Sequence, residues 1–112
     1  MIDIPIPASI EIGGFTYRID TSEEANKDLF QRGSEGTCSG QERCIRLKTR
    51  FVSEQELTNT FTHELLHSVG QVYLNDKLTE KQVSGLANGL HQIFNQLGIR
   101  FCLEMGHDEL SP

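Results

Sequence analysis

The stretch Thr62-His63-Glu64-Leu65-Leu66-His67-Ser68 places two histidines four positions apart. If residues 54–74 form a helix, His63 and His67 lie one turn apart on the same face. Their imidazole nitrogens can then bind one small cation, with Glu64 close enough to hydrogen-bond a water on that cation. Two imidazoles and an open position are typical of catalytic zinc sites. The stretch therefore predicts a zinc site with His63 and His67 as ligands and Glu64 as the general base for hydrolysis.

The flanking residues predict that this helix buries one face and presents the histidines to a cleft. Ser53-Glu54-Gln55-Glu56 matches a capping box, which marks the start of a helix. Apolar residues then recur three or four positions apart and predict a buried stripe, made of Leu57, Phe61, Leu65, Val69 and Val72. At about 100° per residue, this stripe is centred well away from both histidines.

A catalytic zinc site needs a third protein ligand. The sequence offers four candidate positions for it, which are 73, 80, 91 and 107. The longer pattern His-Glu-x-x-His-x-x-Gly-x-x-His continues through Gly70 but fails at Tyr73, where it requires histidine. Glu80 opens the next helix, and an antiparallel return could bring it to the histidines. His91 lies about 16 Å further along that helix, so Glu80 and His91 cannot bind one ion. His107, in the acidic tail, could fold back over the metal.

The first half of the chain predicts a small sheet and one helix. Ile10 to Ile19 alternate in hydrophobicity on both sides of Gly13-Gly14, as in a hairpin or a bent strand. The predicted elements are an extended arm over residues 1–8, this hairpin, a helix from Thr21 or Ser22 to Gly33, a loop or hairpin tip over 34–42, and a strand over 44–49. In that last strand, Ile45 and Leu47 face inward and charged residues face outward, which favours a position at the sheet edge.

The second half predicts one more helix and a short strand. Thr79 and Gln82 form a second capping box, and Gly98 is placed to end the helix. Its apolar stripe comprises Val83, Leu86, Ala87, Leu90, Ile93, Phe94 and Leu97. Residues 99–103 alternate like a strand, and residues 106–112 are expected to form a mobile acidic tail. The whole chain, 1–112, is thus predicted to be a single α+β domain with a small antiparallel or mixed sheet packed on the histidine helix and a second C-terminal helix.

Composition excludes several classes of function. The chain has 112 residues and a net charge of −6, without a basic cluster that would favour nucleic-acid binding. No apolar run approaches the length of a membrane span, and the N-terminus lacks the features of a signal peptide. We therefore expect a cytoplasmic protein without a nucleic-acid or membrane partner.

The three cysteines are predicted to be unpaired. Cys38 and Cys44 flank a short turn-like segment and could face each other across a hairpin. Thiols stay reduced in a cytoplasmic protein, so two small semi-buried residues are the expected outcome. Cys102 is expected in the core.

The run of residues 62–67, followed by Glu80-x-x-Val83-x-x-Leu86-Ala87, resembles the small gluzincin-type zinc metallopeptidases. These include the minigluzincins and the ImmA/IrrE-type proteins of bacteria, phages and mobile elements. The resemblance covers residues 43–97, and its first motif is the more specific one. It implies zinc on His63, His67 and Glu80, with Glu64 as general base. It also implies a zincin-like fold in which an antiparallel edge strand, here residues 44–49, lines the cleft.

Three functions follow from these observations as hypotheses. The first is a zinc metalloendopeptidase that hydrolyses peptide bonds of a protein or peptide substrate by means of metal-activated water. The second is a zincin-fold protein that binds zinc but is autoinhibited or acts as a regulatory or interaction module. The third is a non-enzymatic interaction protein in which the histidine motif is incidental.

Overall fold

A computed structural model describes residues 1–103 of the chain. In this range, short strands alternate with three helices. The predicted α+β class is confirmed. The elements are β1 (Ile2–Pro5), β2 (Ser9–Ile12), β3 (Phe15–Asp20), α1 (Glu23–Arg32), β4 (Gly36–Ser39), β5 (Cys44–Leu47), α2 (Glu54–Tyr73), α3 (Glu80–Leu97) and β6 (Ile99–Cys102). The predicted tail, residues 106–112, lies outside the described residues. Within 1–103, no helix is both long enough and apolar enough to cross a membrane.

The ends of the helices follow their local sequence signals. Ser53 and Thr79 accept hydrogen bonds from the amides three residues on, and both capping boxes are complete. Gly33 and Gly98 end α1 and α3 in the left-handed conformation, which glycine adopts without steric cost. Because these signals are local, the helix boundaries were readable from the sequence.

The main sheet has the strand order β2-β3-β5-β4. Strands β2 and β3 form the predicted antiparallel hairpin, β3 and β5 are parallel, and β5 and β4 are antiparallel. Residues 34–42, predicted as a loop or a hairpin tip, include the strand β4, which forms a hairpin with β5. The prediction that the strand of residues 44–49 lies at the sheet edge was wrong, because β4 occupies the edge beside it. Cys44, Ile45 and Leu47 are accordingly all fully buried.

The two cysteines of this hairpin do not face each other. Cys38 is paired with Ile45, whereas Cys44 is paired with Ser39. Neighbouring strand positions point to opposite faces, so the two thiols are directed to opposite sides of the sheet. Cys38, Cys44 and Cys102 are all free.

The N-terminal arm forms β1, which pairs in parallel with β6 in a separate two-stranded sheet. Thr58 attaches this sheet to α2, because its hydroxyl accepts a hydrogen bond of 2.9 Å from the Phe101 amide. The Phe101 ring packs edge-on against Phe61 of α2, with centroids 5.0 Å apart. The two ends of the described chain therefore meet on α2.

The core lies between α2 and the main sheet. Its buried members are Ile6, Ile12, Tyr17, Ile19, Ile45, Leu47, Leu57 and Phe61. The predicted stripe of α2 holds at Leu57 and Phe61 but fails at Val69, which is 39% exposed. Each step of four residues advances about 40° around a helix, so three such steps carry Val69 about 120° away from Leu57.

The predicted stripe of α3 is also only partly buried. Val83 and Ala87 are buried, while Leu86, Ile93 and Leu97 are exposed. Among the described elements, α3 has its main contacts with α2 and β6 only. One line of apolar residues is thus enough to make those contacts, and the remaining ones lie on an outer surface.

The buried Asn26 of α1 holds the segment between β5 and α2. Its side-chain oxygen accepts hydrogen bonds from the amides of Thr49 (2.7 Å) and Arg50 (2.9 Å). Its amide nitrogen donates to the carbonyls of Thr21 and Ser22. One side chain therefore satisfies backbone groups of two separate segments.

We predict that Asn26→Ala lowers the free energy of unfolding by about 2 kcal/mol, because buried amides lose their acceptor. Urea denaturation measures the loss. Asn88→Ala is the matched control: Asn88 is exposed on α3, and alanine has the higher helix propensity, so no loss is expected. Equal stabilities of the Asn26 variant and the parent would contradict this role.

Candidate metal centre

Three side chains from two helices converge at one point. His63 Nε2 lies 2.7 Å from Glu80 Oε1, and His67 Nε2 lies 2.8 Å from Glu80 Oε2. One ligand atom from each residue lies within 4.8 Å of the other two. The structure thus brings together the two histidines of the motif and the glutamate that was expected to join them.

The link between α2 and α3 positions Glu80. Asn75 and Asp76 both adopt positive φ angles, 52° and 57°, which asparagine and aspartate tolerate better than other non-glycine residues. The Asp76 amide then donates to the Gly70 carbonyl (2.9 Å), which closes the end of α2. Gly70 also lets Leu78 pack closely, because a Cβ at position 70 would lie 3.0 Å from Leu78 Cδ1. The chain reverses here, and the first turn of α3 returns to the histidines.

The donor set suits a zinc ion. Zinc binds imidazole nitrogen and carboxylate oxygen, and three protein ligands with one open position are typical of its catalytic sites. Both histidines direct their Nε2 atoms to the Glu80 carboxylate, so the two ligand atoms lie on the same side of α2. The Glu80 side chain is 69% exposed, so this side is open to solvent. These residues fit the metal that the motif predicts.

The two glutamates of the site have opposite electrostatic environments. Burial raises the pKa of Glu64 to about 7, and the nearby charge of Glu80 adds to the rise. Partial burial opposes ionisation of Glu80 as well, but hydrogen bonds and attraction to His63 and His67 outweigh it and lower its pKa. A bound cation would oppose the rise at Glu64, because a nearby positive charge favours the carboxylate.

Two cavities adjoin Glu64. One, of about 290 Å³, lies against both histidines and the backbone of β4, and its lining residues are Gly36, Thr37, Cys38, His63, Glu64, His67 and Glu80. The other, of about 240 Å³, extends past His63 towards Ser34 and Asn59. The Glu64 carboxyl is therefore buried in the protein yet borders space that a ligand can enter.

Strand β4, and not the strand of residues 44–49 that the resemblance implied, lines the cavity beside Glu64. Gly36 lies so close to α2 that a Cβ there would be 2.8 Å from Thr60 Cγ2 and 3.3 Å from Glu64 Cγ. Glycine at position 36 therefore permits the strand to run beside the general-base candidate. The glycine was visible in the sequence, but nothing in the sequence indicates which side chains it faces.

Cys38 also lines the cavity, although it was not predicted as a site residue. Burial, with a contribution from the charge of Glu64, raises the pKa of its thiol to about 12. Metals bind the thiolate, so the protonated Cys38 is a weak ligand. Its Sγ lies 3.7 Å from Gln71 Oε1, which also accepts a 2.7 Å hydrogen bond from the Tyr17 hydroxyl. These contacts connect β3 and β4 to α2.

The other candidate ligands are not part of the cluster. Among the His, Cys, Asp and Glu residues of 1–103, the cluster that could hold a metal does not include His91. Tyr73, which stands where the longer pattern requires histidine, is largely exposed. The His91 imidazole instead lies 3.5 Å from the Asn95 side-chain amide, within α3. His107 falls outside the described residues.

We predict that Gly36→Ala destabilises the protein by about 1–3 kcal/mol, because the added methyl group overpacks the contact with Thr60 and Glu64. Gly89→Ala is the matched control. A Cβ at position 89 meets nothing within 4 Å, so alanine there should stabilise α3 by about 1 kcal/mol. Thermal and urea denaturation of both variants measure the difference, and an unchanged or higher stability of Gly36→Ala would refute the close approach of β4.

A scan against protein-family models, a search of curated proteins and a search of solved structures found no match to this chain. The likeness to the gluzincins therefore rests on the residues of the motif and on Glu80.

Proposed function

We propose that this protein is a zinc-dependent peptidase in which His63, His67 and Glu80 hold the metal and Glu64 is the general base. The observation that carries the proposal is the convergence of three ligand atoms within 4.8 Å beside a buried carboxyl group. Zinc ligands with an adjacent glutamate are the donor set of metal-assisted hydrolysis.

In the proposed hydrolysis, the metal ligands and Glu64 have different roles. When bound, zinc supplies Lewis acidity, which lowers the pKa of a water and polarises a carbonyl. The Glu64 carboxylate takes a proton from the attacking water and returns it to the nitrogen of the leaving amine. Glu64 lies against β4 and lines the cavity that both histidines border. The exposed side of Glu80 leaves room for a substrate to approach.

Strand β4 supports a peptide as the substrate. It pairs with β5 on one side, and within residues 1–103 no strand pairs with its other side. An extended peptide can add to such an edge by backbone hydrogen bonds. Gly36, Thr37 and Cys38 line the same cavity as His63 and Glu64, so a peptide on this edge would pass the metal centre.

We predict that the protein binds one zinc ion per chain and that His63→Ala weakens binding more than about a hundredfold. Removing a ligand should cost more than removing a supporting partner, which typically costs about 10–100-fold. Competition with a chromophoric chelator measures the affinity, and elemental analysis measures the stoichiometry. His91→Ala is the matched control, because His91 lies outside the cluster and should leave the affinity unchanged. Equal effects of the two substitutions would rule out the assigned ligands.

We also predict that Glu64→Gln lowers the cleavage rate by about 10²–10⁴-fold while zinc remains bound, because the amide cannot accept the proton of water. The measurement is turnover of a quenched-fluorescent peptide library by the zinc-loaded protein, with zinc content determined in parallel. Glu56→Gln, at the start of α2 and outside the cavity, is the control and should retain the parental rate. If the zinc-loaded parent cleaves nothing, the metal-binding module without catalysis is the better description; if Glu64→Gln cleaves at the parental rate, Glu64 is not the base.

A further inference from the structure

A second surface, formed by α1 and the segment between β5 and α2, combines exposed aromatic rings with cations. We name it the Phe30–Phe51 surface. It surrounds a cavity of about 290 Å³, and its positive charges belong to Lys27, Lys48 and Arg50. Phe51 is 83% exposed and Phe30 is 67% exposed. No ligand of the candidate metal centre lines this cavity. Exposed rings grouped at a cavity are a mark of interaction sites in soluble proteins.

The backbone at Phe51 is strained, and its ring is exposed. Phe51 has a φ of 63°, in the left-handed region that bulky residues rarely adopt. The largely exposed ring gains little burial in return. The strain persists because Asn26 holds the preceding residues, by accepting hydrogen bonds from the amides of Thr49 and Arg50. Strain that the surroundings maintain without a packing benefit is characteristic of functional positions.

The charges of this surface differ from those of the whole molecule. The chain carries a net charge of −6, yet three cations and one carboxylate, Glu23, line this cavity. One of these cations, Lys48, is paired with Glu35 at 3.8 Å. Lys48 Nζ lies 5.3 Å from the centre of the Phe30 ring. Within residues 1–103, Lys27 and Arg50 form no ion pair, and the buried Arg50 Nε has no hydrogen-bond partner. Lys27, which is exposed, is therefore available to pair with an acidic group that a ligand brings.

We propose that the Phe30–Phe51 surface is a docking site for an acidic peptide segment of a partner protein. An apolar side chain of the peptide packs against the two rings, and its carboxylates pair with Lys27 and Arg50. Aromatic and arginine side chains are the groups that contribute most to protein interfaces. The overall charge of −6 favours a short acidic segment over single-stranded nucleic acid, whose phosphates would continue from this patch onto an acidic surface. The proposal does not depend on zinc binding or on peptidase activity.

The first test is selection of phage-displayed random peptides on the full chain, with counter-selection on Phe51→Asn. Asparagine tolerates the left-handed conformation, so this variant removes the ring without breaking the fold, and its melting temperature should be equal to or above that of the parent. The expected result is a set of peptides in which acidic residues flank an aromatic or aliphatic residue. Enrichment of basic peptides would overturn the proposal. So would the failure to find any peptide that binds the parent and not the Phe51→Asn variant.

The second test measures affinity in solution by fluorescence anisotropy of the most enriched labelled peptide. Phe51→Asn should weaken binding by about tenfold, as expected for one central aromatic contact. Lys27→Glu should weaken it by about fivefold and reduce its dependence on salt, whereas Lys77→Glu, an exposed cation of the α2–α3 link, should have no effect. Equal losses for the two lysine variants, or tighter binding of a single-stranded oligonucleotide than of the peptide, would refute the proposal. Binding should be unchanged in His63→Ala, which separates this result from that of the metal centre.

Discussion

The structure depends on the position of helix α2 between the two sheets and α3. Leu57 and Phe61 pack into the core, Thr58 and Phe61 contact the small β1–β6 sheet, and His63 and His67 face the start of α3. Because α2 makes all of these contacts at once, its rotation about its own axis is determined by packing on several sides. That rotation aims the histidines at Glu80 and places Glu64 against β4. The geometry of the candidate site therefore follows from the packing of the core.

Two glutamates within one small site have acquired different properties from their surroundings. Glu64 lies against β4, where burial raises its pKa; Glu80 is exposed and its pKa is lowered by two histidines. Such divergence is a means of assigning distinct chemical roles to identical side chains. Under the proposed function, this divergence would separate the proton acceptor Glu64 from the metal ligand Glu80.

Several features of the site and the fold were readable in the sequence because their signals are local. The capping boxes at Ser53 and Thr79 and the glycines at 33 and 98 marked the helix ends, and the spacing of His63 and His67 set both on one face. Other features were not readable, since they depend on residues distant in sequence. The strand β4 has no strong alternation, so residues 34–42 were predicted only as a loop or a hairpin tip, and β5 was wrongly placed at the edge. The exposure of Leu86 likewise depends on how far the neighbouring elements extend.

The sequence by itself determined the three helices, their boundaries and the spacing of the two histidines on α2, because hydrogen-bonded caps and helical periodicity act within a few residues. Only the tertiary structure decided which side chains meet. It brought Glu80 to within 2.8 Å of the histidines through the left-handed turn at Asn75 and Asp76. It also brought β4 to Glu64 through the missing side chain of Gly36. Both contacts require the chain to fold back on itself, and the packing of α2 supplies the energy that holds them in place.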